Sequence, residues 1–135
     1  MKRIPWSIGA GLVIVAGAVL FSQVSKHAAT VSVEEAQKLI TSDSTVVVLD
    51  VRTPKEFTGE LGHIDGAMLI PVQELEERIG ELEKVKGKRV LAICRTGRRS
   101  AAAAEILSKQ GFHALNVEGG MVKWVEEGLP IVKEK

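Results

Sequence analysis

The apolar residues of this chain fall into two patterns. Residues 45–51 (TVVVLDV) and Arg89–Ile93 (RVLAI) are short runs with little or no polar alternation. That is how strands buried on both faces read. Residues 67–70 form a third such run, stopped by Pro71, and residues 112–117 a fourth. Between these runs the spacing is helical. Ser32 and Glu35 stand three apart, as in a capping box, with Ala36, Leu39 and Ile40 following. Residues 72–82 set Leu75, Ile79 and Leu82 among charges and predict a helix. Residues 100–110 predict an Ala-rich helix ending at Gly111. A last helix follows Gly119 and Gly120, carries Trp124 and Val125, and stops at residues 128–130. Thr53-Pro54 breaks the first long run, and residues 55–59 make one helical turn at most.

Strands that alternate with helices and are apolar on both faces imply a three-layer α/β domain with a mostly parallel central sheet. Reactive loops in such sheets lie at the carboxyl ends of strands. Cys94 directly follows one strand, Asp50 closes another, and residues 94–99 read as the loop leading to the next helix.

The first 25 residues follow a different rule. Lys2 and Arg3 precede an uncharged stretch, residues 4–25, whose core is residues 8–21 (IGAGLVIVAGAVLF). A basic start before an apolar run is the layout of an export signal or membrane anchor. No clean small-x-small cleavage site follows, which favours an uncleaved anchor over a cleaved, secreted form. Lys2 and Arg3 would then stay in the cytoplasm, with the domain outside, periplasmic or at the cell surface. Residues 26–30 read as a tether and residues 31–135 as the folded domain.

Composition narrows the chemistry. The 135 residues suit one folded domain. A formal net charge of +1 gives no reason to propose nucleic acid as a partner. There is one Cys, which excludes an intramolecular disulfide, and the three His are widely separated, which argues against a metal centre.

What remains is the loop I-C-R-T-G-R-R-S starting at Ile93. Successive backbone N–H groups in a turn between strand and helix can form an anion-binding nest, and the helix dipole adds to it. Arg95, Arg98 and Arg99 bring three charges, and Gly97 lets the backbone bend close to a ligand. All of these favour thiolate over thiol. The site predicts a nucleophilic Cys94 attacking a small anionic substrate held by residues 95–100, Thr96 and Ser100 included.

These residues resemble the rhodanese family over residues 31–132. Cys94, Gly97 and Arg99 fit its Cys-x-x-Gly-x-Arg loop. Asp50, Arg52, Glu56 and Phe57 resemble its Asp-x-Arg…Glu-Phe segment. Gly62-His63-Ile64, Gly66-Ala67 and Pro71 resemble its Gly-His-Ile-x-Gly-Ala…Pro stretch. Gly119-Gly120, Trp124 and Gly128-Leu129-Pro130 match its ending. The resemblance implies a five-stranded parallel sheet and a thiosulfate sulfurtransferase. Sulfur would pass from thiosulfate or a related donor through a Cys94 persulfide to cyanide, a thiol or a sulfur-accepting protein, with no cofactor beyond that covalent intermediate. The alternative is a sulfur-carrier or interaction module without turnover. A cysteine phosphatase or arsenate reductase is less favoured, because the Arg of a Cys-x5-Arg loop would fall at position 100, which is Ser100. Among the supporting residues, Asp50 or Glu56 is expected to pair with Arg52 and brace the strand end. His63 is expected to make a local hydrogen bond, and Trp124 to fill the core.

Overall fold

The computed structural model describes residues 28–134. The expected anchor, residues 4–25, and the first two residues of the tether lie outside them. Among the described residues no helix is long and apolar enough to cross a membrane.

Five parallel strands form one sheet in the order β1-β5-β4-β2-β3. They are β1 (Ala29–Val31), β2 (Val47–Asp50), β3 (Met68–Leu69), β4 (Arg89–Ile93) and β5 (His113–Val117). Central β4 is fully covered from Val90 to Ile93, as its unbroken apolar run requires. One face packs on α4 (Arg98–Lys109) through Ala103, Ala104 and Leu107, with Leu75 and Leu82 beside them. The other packs on α1 (Val33–Ser42) and α5 (Gly120–Glu126), where Val33, Ala36, Met121 and Trp124 meet Leu91 and Ile93. Trp124 fills that core as expected, and its Nε1 donates to the Pro130 carbonyl at 2.9 Å.

Four details differ from the sequence reading. β1 was expected to be tether up to Thr30, yet Ala29–Val31 pair with Leu115–Val117 at the sheet edge. Ser32 caps α1 by accepting from the Glu35 amide at 3.1 Å, but the full reciprocal box forms at α2 (Pro54–Phe57), between Thr53 and Glu56. The single helix expected over residues 72–82 divides into a 3₁₀ turn (Val72–Glu74), α3 (Leu75–Arg78) and a second 3₁₀ stretch (Ile79–Val85). Lastly, α4 begins at Arg98, not at residue 100, so Arg98 and Arg99 belong to its first turn and not to the loop.

Candidate active site

Cys94 is the first residue beyond β4, at the carboxyl edge of the sheet. It is buried, with 1% of its surface exposed, and its flank touches the apolar cluster beneath α4. Its sulfur nevertheless faces hydrogen-bond donors. The Gly97 amide donates to Sγ at 3.1 Å, and the Ser100 hydroxyl lies 3.3 Å away. The amides of Thr96 and Ser100 act on it as well.

The loop curls this way for two reasons. Gly97 holds φ at +103°, a left-handed conformation that side chains disfavour, and it caps α4. The loop carbonyls are also drawn to the opposite side. Cys94 O accepts from the Met121 amide at 2.8 Å, and Arg95 O from Val122 at 3.0 Å. The first turn of α5 thus takes up the acceptors, which leaves N–H groups to face the sulfur. This approach needs glycine at 120, where φ is +57° and a Cβ would stand 2.5 Å from the Arg95 carbonyl oxygen. Two adjacent glycines before a helix were the available signal of a close backbone contact.

Burial pushes the Cys94 thiol up, and hydrogen bonds from the Ser100 hydroxyl and the Ser100, Gly97 and Thr96 amides pull it down. The net shift is downward, toward thiolate.

The arginines divide in role. Arg95, Thr96 and Arg98 are exposed on the rim. Arg99 is part-buried and paired within the fold. Its two guanidinium nitrogens donate to Glu56 Oε1 and Oε2 at 2.7 and 2.8 Å. The Arg99 bond, against a smaller cost of burial, holds the Glu56 carboxyl at about 2. Arg99 therefore acts as a fixed charge that ties α4 to α2.

Asp50 and Arg52 form the expected brace, both essentially without solvent exposure. Arg52 Nη2 donates to Asp50 Oδ2 at 2.7 Å and to the Gly62 carbonyl at 2.7 Å, and Nη1 to the Glu56 carbonyl at 3.2 Å. Glu56 thus offers Arg52 its backbone oxygen, and gives its side chain to Arg99. A hollow of about 220 Å³ lies beside this brace, lined by Lys55, Leu61 and Arg95 among others. His63 makes the local bond expected of it, from Nδ1 to the Phe57 carbonyl at 2.8 Å. One residue went unremarked in the sequence. Asn116 of β5 is buried, and its Oδ1 lies 2.6 Å from the Ser100 hydroxyl. A polar side chain beside Leu115 and Val117, near the carboxyl end of a strand, is its signal.

Fold and site together define an α/β domain with a buried cysteine in a short strand-to-helix loop whose amides face its sulfur. The comparisons name the class. Residues 32–127 match the model of the rhodanese-like domain. The sulfurtransferase of Allochromatium vinosum is 34% identical over 100 residues, covering 73% of this chain and 90% of that one. The Bacillus subtilis protein named "Putative sulfur carrier protein YrkF" is 39% identical over 95 residues, 70% of this chain. The match spans 49% of YrkF, about half its length. The crystal structure of a rhodanese-related protein from Thermoplasma volcanium superposes with a TM-score of 0.71 at 39% identity, covering 78% of this chain and 99% of that one. The chain belongs to the rhodanese family.

Proposed function

We propose that this chain is a sulfurtransferase that moves the outer sulfur of thiosulfate, or of a related sulfane donor, to cyanide or a thiol through Cys94. The observation that carries the reading is the pair of donors on Sγ, the Gly97 amide and the Ser100 hydroxyl, in a loop whose Cys94 and Arg95 carbonyls are tied to α5. Such a cup stabilises one sulfur anion and then the persulfide that replaces it. The Cys94 thiolate attacks the outer sulfur of thiosulfate. A Cys94 S–S bond forms, the S–S bond to the sulfonate breaks, and its electron pair leaves with sulfite. The terminal sulfur of the persulfide then goes to cyanide, giving thiocyanate and the thiolate again, or to a thiol. Exposed Arg95 and Arg98 stand at the rim to draw the anionic donor in. We further propose that residues 4–25 hold the domain at a membrane on the side away from the cytoplasm. The basic start and apolar run support this.

Turnover of thiosulfate and cyanide by the wild type, compared with Cys94→Ser, tests the enzyme reading. Thiocyanate formation no faster than the variant's would overturn it. The name of YrkF favours a second reading, a sulfur carrier that holds a persulfide without fast turnover. Mass spectrometry separates that case. It would show about 32 Da of cyanide-labile sulfur on a protein that does not turn over.

A further inference from the structure

The Ser100 hydroxyl stands between two acceptors. Cys94 Sγ lies 3.3 Å from its oxygen and Asn116 Oδ1 2.6 Å. A hydroxyl carries one proton and can give it fully to only one of them. At 2.6 Å the amide oxygen is the nearer acceptor and competes with the sulfur for that proton. The sulfur, once anionic, needs it. These demands conflict unless Asn116 can change its part.

Asn116 is able to change. A carboxamide carries an acceptor and a donor of nearly the same shape. Half a turn about the last side-chain bond puts Nδ2–H where Oδ1 was. Nδ2 then donates to the Ser100 oxygen, and the hydroxyl proton is released to Sγ. Asn116 is 8% exposed and Ser100 fully buried, so water competes little for either group.

We propose that Asn116 is a positioning residue for the nucleophile: its amide turns its donor end to Ser100 when Cys94 is thiolate or persulfide, and its acceptor end when Cys94 is a neutral thiol. The proposal rests on Cys94 being the nucleophile and adds a residue that acts on its sulfur through the Ser100 hydroxyl. No covalent bond changes in the exchange; one hydrogen bond reverses direction and another moves from oxygen to sulfur.

The charged residues of the loop and the neighbouring elements are Arg95 in the loop, Arg98 and Arg99 on α4, Asp50 at the end of β2 and Arg52 after it, Glu56 on α2, Glu118 after β5 and Lys123 on α5. All are common to the variants compared below. The chain has one Cys and one Asn, so the thiolate absorbance and a selectively ¹⁵N-labelled Asn side chain each report a single site.

The experiment titrates the donor-free full chain and follows both signals. The Asn116 side-chain amide resonances are expected to move with the same midpoint as the thiolate, and to stay still in Cys94→Ser. Asn116→Asp keeps the acceptor and removes the donor, and is expected to raise the thiol midpoint by about one pH unit or more. Alkylation well below that midpoint then slows about tenfold. In the Ser100→Ala background the same change is expected to have less than half that effect. Amide resonances indifferent to the Cys94 titration would overturn the proposal, even if Asn116→Asp does not fold. Equal shifts in both backgrounds would also overturn it, since they would mark the charge of the new carboxylate alone. Neither readout involves a sulfur donor, so failure to turn over thiosulfate leaves both interpretable.

Discussion

Gly120 lies against Cys94 so closely that a Cβ on the glycine would collide with the Cys94 carbonyl oxygen. The contact joins the start of α5 to the Cys94 peptide, with the Met121 amide completing it. The loop amides can face the sulfur because the carbonyls have partners on the other side. Gly120→Ala combines a left-handed φ with a backbone clash. It is expected to destabilise the fold by about 3 kcal/mol. Urea unfolding measures that loss. Thiol titration of the fraction still folded should show the Cys94 midpoint moving up, because the loop must shift to make room.

Ser100→Ala tests the side-chain contribution to the same cup. Burial already works against the anion, so removing the hydroxyl takes away the first of the bonds that oppose it. The Cys94 midpoint is expected to rise, and alkylation below that midpoint to slow. Fold stability should fall by about 1–3 kcal/mol, because the buried Asn116 carboxamide oxygen loses its partner. A midpoint unchanged from wild type would show that the amides alone hold the thiolate.

The Glu56–Arg99 pair predicts a pH dependence with a definite sign. Folding takes the Glu56 carboxyl from its ordinary 4.5 to about 2. A depressed carboxylate stabilises the fold fully above its unfolded value and loses that contribution as pH falls through the folded one. Both side chains are partly solvated, at 31% and 26% exposure, so about 1–2 kcal/mol is expected after screening. The unfolding free energy of wild type relative to Glu56→Gln should therefore be level above about pH 5 and shrink toward pH 2. Chemical denaturation across that range measures it.

Much of this fold was legible because its central strands have no polar alternation to confuse. Val90 to Ile93 are buried on both faces and read so at once. The Cys94 loop was legible because its chemistry is local in sequence. What escaped depends on distant partners. β1 is three residues long and is a strand only because β5 lies beside it. Arg99 meets Glu56 across 43 positions, which no local spacing reveals. The start of α4 at Arg98 follows from Gly97 acting as its cap, a choice that the Arg-Arg-Ser run does not disclose. The 3₁₀ stretches of residues 72–74 and 79–85 share the apolar spacing of an α-helix closely enough to be mistaken for one.

The Asp50–Arg52 brace separates stability from chemistry most sharply. Both side chains are essentially without solvent exposure, and Arg52 joins the end of β2 to the Glu56 and Gly62 carbonyls. Removing one partner leaves a buried charge with no counter-ion, which costs about 3–5 kcal/mol. Asp50→Ala is expected to lose that much in urea unfolding. Replacing the pair together, as Asp50→Leu with Arg52→Met, removes both charges and should recover a large part of the loss, because no uncompensated ion remains. The carbonyls of Glu56 and Gly62 would still be left without the guanidinium, so recovery should stop short of wild type. Sulfur transfer by the folded double variant should also survive in part, since Cys94 takes its hydrogen bonds from residues 96–100 and none from this pair. A double variant as unstable as Asp50→Ala would show that the carbonyl contacts of Arg52, not its charge balance, hold this end of the sheet together.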